Sequence, residues 1–290
     1  SRGIMSAPLY KELFVSLFKE GYFKAGLGIL IALVVFAIVG PFTTKYGPFD
    51  TVGPPYNPPT LQYWLGTDAF GRDVYSQLVH GLGNSLYIAL IAGLIATAIG
   101  VTIGLIAGYF GGFTDVVLNF LTNTILTIPN VVIILLIAIY LPRQWVTTTL
   151  LGVLIGLFSW PWSARAVRAI AMSIRGRDFI LVAKLSGETP IEVAFTEVMP
   201  QMMAYIFLVF VLQFSGAIVA DVGLEALGLL PYKTMTVGFM LFWAVAFSAP
   251  SYGAWWWFLP PGLIVMLATT ALSMIAMSMD KAFNPRLREE

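Results

Sequence analysis

Six runs of apolar residues, at about 25–42, 85–109, 116–141, 146–162, 202–222 and 254–278, fix what this chain can become. A helix needs roughly 20 such residues to cross the hydrocarbon of a bilayer. The 290 residues are 58% hydrophobic and 11% charged, whereas about a quarter of a soluble domain is charged. That balance excludes a soluble fold and points to one polytopic membrane domain, all-α, with six transmembrane helices. The first run follows a head containing Arg2, Lys11, Lys19 and Lys24 and ends at Gly40-Pro41-Phe42. This is not a small-residue cleavage site, so the run reads as an uncleaved anchor.

The absent residue types narrow the function. There is no cysteine, which removes disulfides, thiolate metal sites and iron–sulfur clusters, and the single histidine, His80, cannot build a metal site alone. No basic run is dense enough to track phosphates, so nucleic acid is set aside. No GxxxxGK[ST], GxSxG or HExxH occurs, so no catalytic residues and no bound cofactor are expected.

Basic residues orient the runs. With the amino terminus in the cytoplasm, 12 of the 16 lysines and arginines fall on that side, leaving Lys45, Arg72, Arg143 and Lys233 outside. Both termini are then cytoplasmic. The expected segments are a cytoplasmic head 1–24, a first span 25–42, an extracytoplasmic loop 43–84, a transmembrane core 85–279 containing a cytoplasmic loop 163–200, and a tail 280–290. The loop 43–84 is turn-rich through Gly53-Pro54-Pro55 and Asn57-Pro58-Pro59. From Thr67 or Asp68, either able to cap, Phe70, Val74, Leu78 and Leu82 recur every fourth residue, which predicts an amphipathic helix along the outer interface.

The polar stretch from Arg165 to Pro200 carries Arg165, Arg168, Arg175, Arg177 and Lys184. Gly187 closes one predicted helix. Thr189-Pro190-Ile191-Glu192 opens another, with Thr189 as cap, Pro190 at the first helical position and Glu192 completing a capping box. Pro200 then stands at the start of the next span. A bent helix pair of this kind suits docking of a soluble partner, and suits equally two ordinary surface helices.

Other polar residues have two readings each. Arg165 and Arg168 share a helix face and could meet a partner, pair locally or snorkel to lipid headgroups. Lys184, Glu188 and Glu192 are the charges nearest the corner and the candidates for partner contact. Asp68 and Arg72 are spaced for a local pair, and with Asp73 they could also meet an external protein. Asn119, Asn123, Asn130 and Gln213 lie at membrane depth, where an unsatisfied amide is costly, and are candidates for lining a pathway or for joining helices. Most tryptophans, among them Trp160, Trp162, Trp243 and Trp255–Trp257, are expected at the bilayer interfaces. Asp115, Asp221 and Glu225 lie close to span ends, so no carboxylate marks a midplane ion site.

Gly66-Thr67-Asp68-Ala69-Phe70-Gly71-Arg72-Asp73 matches a GTDxxGRD signature, and Ser159-Trp160-Pro161 with Ala164-Arg165 and Val167-Arg168 matches SWPxxARxVR. Gly187 and Pro200 stand at the spacing of an EAA loop, and Asn284-Pro285-Arg286-Leu287 is similar to a DPRL ending. On these motifs the chain resembles, over nearly its whole length, the second permease subunit of binding-protein-dependent ABC importers of the oligopeptide, dipeptide and nickel group. It departs from that pattern at Leu181-Val182-Ala183 in place of Glu-Ala-Ala, at Glu197-Val198-Met199-Pro200, at Phe120 and Asn123, and at Ala276-Met277.

The resemblance implies a type I importer permease in the cell membrane. Its partners would be a homologous second permease subunit forming a heterodimer, two cytoplasmic ATPase subunits that carry ATP and Mg, and an extracytoplasmic solute-binding protein. The loop at Ala183, Lys184, Gly187, Glu188, Thr189, Pro190 and Glu192 would couple to the ATPases, with Arg165, Arg168 and Pro200 as its supports. Gly66, Thr67, Asp68, Gly71, Arg72 and Asp73 would form the extracytoplasmic motif. The solute would be a peptide, or an oligosaccharide or nickel. The rival reading is an ion-coupled secondary transporter working alone.

Overall fold

A computed structural model describes residues 15–283. The expectations resting on Arg2, Lys11, the Asn284–Leu287 ending and Arg288 lie outside these residues. Ten helices carry the architecture: α1 Gly21–Thr43, α2 Val74–Phe110, α3 Gly112–Thr127, α4 Asn130–Tyr140, α5 Thr148–Ile174, α6 Asp178–Leu185, α7 Pro190–Glu192, α8 Met203–Ala226, α9 Val237–Ala246 and α10 Trp255–Phe283. A π-helical turn, Val193–Val198, and a short turn, Met199–Gln201, join α7 to α8. Five helices, α1, α2, α5, α8 and α10, are long and apolar enough to cross a bilayer, and α3 with α4 makes a sixth span if the bent pair is counted as one.

The axis of the bundle is α2. Its 37 residues extend about 55 Å at 1.5 Å per residue, and it packs most extensively along α5. Lipid is as apolar as leucine, so helices in a membrane associate through close backbone packing rather than through a hydrophobic drive. Glycines Gly100, Gly104 and Gly108, one turn apart on α2, admit that approach. A β-carbon at Gly104 would stand 2.5 Å from the Ala164 carbonyl oxygen, and one at Gly108 would stand 2.5 Å from that of Arg168. Gly152 and Gly156 do the same on α5, against the Ile88 and Ala92 carbonyls. Ser163 and Gln213 then tie three helices together: the Ser163 hydroxyl donates to the Ala96 carbonyl, and Gln213 Nε2 of α8 donates to Ser163 Oγ and to the Ser159 carbonyl.

Several expectations are corrected. The amphipathic pattern from Phe70 to Leu82 does not make a separate interfacial helix beginning at Thr67 or Asp68. Residues 67–72 form turns, Asp73 caps α2 by accepting the Ser76 amide at 2.8 Å, and the helix runs unbroken into the membrane segment. The apolar face of that first stretch is covered by protein, with Leu78, Val79 and Leu82 buried. The run 116–141 is broken at Ile128-Pro129, where α3 and α4 meet at 75°, because proline restricts the residue before it and lacks an amide to continue the ladder. The run 146–162 continues as helix to Ile174, which places Arg165 and Arg168 on α5 itself. Trp160, Trp256 and Trp257 are buried within the protein, whereas Trp162 and Trp255 are exposed.

The α2–α5 seam gives a direct test. Gly104→Val is expected to destabilise the purified protein by about 1–3 kcal/mol through overpacking. Gly28→Val on α1, where nothing lies within 4 Å of the new β-carbon, should leave the thermal midpoint unchanged.

Candidate functional site

The segment between α5 and α8 forms an elbow at the Phe110 end of α2. The chain turns at Gly187, whose φ of +89° lies where a side chain is strained and glycine is not. The capping box then closes. Thr189 N donates to Glu192 Oε2 at 2.7 Å, and Glu192 N donates to Thr189 Oγ1 at 3.3 Å, with Pro190 at the first position. The Thr189 amide and hydroxyl hold the Glu192 carboxyl below its ordinary range.

What fixes the elbow to the bundle is a second apolar core. Ile180, Val193, Ala194 and Val198 are buried against Leu105, Val167, Ala171 and Ile174. Burial of each larger aliphatic here contributes about 1.5–3 kcal/mol, more than the about 1 kcal/mol of a typical cap, so packing rather than capping sets its orientation. Pro200 lies in the turn Met199–Gln201, after the π turn, and Met202 breaks the run before α8 begins.

The structure distributes the candidate coupling residues unevenly. Ala183 is buried. Lys184 holds its ammonium over the Tyr109 ring, 5.4 Å from the centroid, and Glu188 receives the Thr196 hydroxyl at 3.5 Å. Together with the capping role of Glu192, these contacts engage the candidate charges within the elbow or, for Lys184, with α2. The exposed surface also carries four aliphatic side chains, Leu181, Val182, Ile191 and Leu185, with Leu185 79% exposed. Sequence reading missed these four because it searched the loop for charge. The signal was there in Leu181-Val182, which replaces Glu-Ala.

Beside the elbow, Arg168 grips Asp115 of α3 through Nε and Nη2 at 2.5 and 2.6 Å, and Arg165 Nη2 donates to Asn123 Oδ1 at 2.6 Å. Both arginines thus tie the bent α3 to α5. Asn123 therefore serves the arginine, and Gln213 the helix junction. Asn119 lines a small cavity with Arg165 and Arg168, and Asn130 Oδ1 accepts from Val131 N at the start of α4. Asn119 and Asn123 thus both lie at Arg165, while Asn130 and Gln213 make their contacts elsewhere.

At the opposite end of α2, the GTDxxGRD residues build a knot. Gly66 and Gly71 have φ of +67° and +72°, and a β-carbon on Gly71 would meet the Gly53 carbonyl. Asp68 is fully buried. It accepts from the Phe70 and Arg72 amides, from Arg72 Nε at 2.7 Å and from Gln77 Nε2 at 2.9 Å, which satisfies the charge that burial would otherwise penalise. Asp68 and Arg72 do pair, but across a turn rather than along a helix. Thr67 donates to the Pro54 carbonyl and accepts from Asn57 N, while its own carbonyl receives Trp256 Nε1 of α10 at 3.0 Å.

Two features had no forecast. The ten-residue α9, capped by Thr236, packs among α2, α8 and α10; it is too short for a span, so a search for runs of about 20 passes over it. Against it lie Asp221 and Glu225 of α8, both fully buried. The Thr236 hydroxyl reaches both Glu225 oxygens at 2.6–2.7 Å, and Gly238 leaves room for that carboxyl. Neither Asp221 oxygen has a hydrogen-bond partner among the described residues.

Residues 100–289 match the family described as the inner membrane component of binding-protein-dependent transport systems. The dipeptide transport system permease protein DppC of Alkalihalophilus pseudofirmus is 31% identical over 289 residues, covering 96% of this chain and 90% of the relative. A Brucella suis protein whose name assigns it provisionally as a peptide transport system permease is 28% identical, covering 94% of this chain and 91% of the relative. A second protein of that organism, named provisionally as a peptide permease, is 30% identical, covering 90% and 86%.

Two measurements test the elbow's supports. In a double-mutant cycle, Arg168→Ala and Asp115→Ala should show a stability coupling of about 1 kcal/mol or more, since the pair is bidentate and largely shielded. The capping box should hold above the ordinary glutamate range and fail as pH falls through the lowered Glu192 value. Amide exchange at Thr189 should then gain an acid-dependent opening that Glu192→Gln removes.

Proposed function

This chain belongs to the family of inner membrane components of binding-protein-dependent transport systems, and from that premise we propose how its elbow couples transport to a separate motor. The chain is a multi-pass permease subunit of an ABC importer. In our reading it pairs with a homologous permease subunit. The elbow, on the cytoplasmic side, inserts into one of two ATPase subunits that bind ATP and Mg. An extracytoplasmic binding protein delivers the solute, for which a peptide such as a dipeptide is the class favoured by the names of the relatives. Approach of the ATPases would draw the elbows together, and their separation would reset the cavity.

The observation that carries this reading is the exposed apolar tip of the elbow on a buried apolar base. Leu181, Val182, Leu185 and Ile191 are exposed, while Ile180 of α6 and Val193 and Val198 of the π turn pack the elbow against α2 and α5. Exposed apolar groups on a rigid support suit a protein partner. A push on the tip would travel through packed side chains into the α2–α5 seam rather than dissipate in a loop. The ion-coupled carrier draws no support from a family defined by dependence on a binding protein.

The ATPase contact is tested by Leu185→Glu. It should abolish co-purification of the ATPase subunits while the permease still inserts, because it places a charge in an apolar contact. Gly187→Val, strained at positive φ, should separate ATP hydrolysis from solute uptake in proteoliposomes. Undiminished uptake in both variants would overturn the elbow's role.

A further inference from the structure

At the end of the bundle opposite the elbow, a cavity of about 200 Å³ opens between the end of α1 and the start of α2. Its walls include Lys45, Tyr46, Leu61, Trp64, Asp73 and Tyr75. Asp73 is 3% exposed. Its Oδ2 accepts the Ser76 amide, but its Oδ1 has no hydrogen-bond partner among the described residues. A buried carboxylate oxygen left unpaired is costly, and burial pushes the Asp73 carboxyl up against the opposing effect of the Ser76 bond. The oxygen therefore calls for a donor, and Asp73 borders the cavity.

The remaining walls select the donor. Trp64 and Tyr75 stand with ring centroids 4.9 Å apart, and Tyr46 adds a third ring. Aromatic faces attract an ammonium. Lys45 is exposed and makes no ion pair among the described residues. Its charge disfavours a bare cation and complements an anion attached to one. The fitting chemistry is an ammonium joined to an anionic group.

Size and position choose among such groups. The cavity is smaller than the roughly 300–1,000 Å³ of sites for drug-sized ligands, so it suits a headgroup. It lies where the apolar α1 ends, and Phe42 beside it and Leu61 on its wall are 86% and 98% exposed. Uncovered apolar side chains beside an aromatic cluster mark the level where acyl chains meet headgroups. We propose that this cavity binds the headgroup of an ethanolamine phospholipid, with its ammonium on Asp73 Oδ1 and the Trp64 and Tyr75 rings and its phosphate toward Lys45.

The headgroup's three N–H donors are the discriminating feature, because a choline headgroup carries the same charges without them. The test reconstitutes the assembled transporter in nanodiscs holding equal phosphatidylethanolamine, phosphatidylcholine and phosphatidylglycerol, and reads retained lipid by native mass spectrometry. Phosphatidylethanolamine should exceed phosphatidylcholine by about tenfold, the scale of one charge-assisted hydrogen bond. Asp73→Asn keeps an acceptor for Ser76 and turns an amide toward the ammonium, so it should erase the preference. Lys45→Gln, on an exposed side chain, should weaken ethanolamine-lipid retention and provides the test if Asp73→Asn lowers the yield. Equal retention of the ethanolamine and choline lipids, or unchanged selectivity in the variants, overturns the proposal. Displacement of the ethanolamine lipid by millimolar dialanine, dependent on Asp73, assigns the site to a free zwitterion and overturns the lipid.

Discussion

The contact on which the rest of this structure depends is the glycine-lined seam between α2 and α5. Apolar side chains gain little by leaving lipid for each other, so helices cohere through dispersion at short range and through buried polar junctions. At Gly104 and Gly108 the partner backbone lies too near to admit a β-carbon. Where the seam closes, Ser163 and Gln213 add hydrogen bonds that reach α8. A seam without side-chain padding has little slack, so displacement of α5 at one end must move α2 or open the contact.

That stiffness gives the two ends of α2 their meaning. One end carries the buried base of the elbow, and the other carries the Asp68 knot, whose hydrogen bonds reach Arg72, Gln77 and, through Thr67, Trp256 of α10. The elbow end is held by apolar packing and the other end by a hydrogen-bonded knot, and between them α2 is a single unbroken helix. The arginines of α5 extend the same unit sideways, since Arg168 and Arg165 brace α3 through Asp115 and Asn123.

Features decided by neighbours in sequence were the legible ones. The Thr189–Glu192 box and the left-handed turn at Gly187 follow from local chemistry, and the structure contains both. The long apolar runs announced themselves by length. What could not be read depended on distant partners. The Phe70–Leu82 pattern implies one buried face but not whether protein or lipid covers it, and here protein does. Nothing near Asp221 or Glu225 in sequence announces burial against α9, because α9 is short and its packing partners come from three other helices. The break at Pro129 was legible in principle, but the apolar residues on both sides concealed it within one run.

The elbow shows how partner contact and internal support can divide the same few residues. A charge used twice would be a compromise: a carboxylate closing a capping box is less free to meet a partner, and an ammonium on an aromatic face is partly spoken for. Glu192 and Lys184, though both exposed, are engaged by the Thr189 amide and the Tyr109 ring, so removing either would alter the elbow itself. The replacement of Glu-Ala by Leu181-Val182 then acquires a physical reading. With polar side chains holding the corner, outward adhesion would pass to aliphatic groups, whose attraction is short-ranged and not screened by salt. A partner matched to this tip would recognise its shape more than its charge.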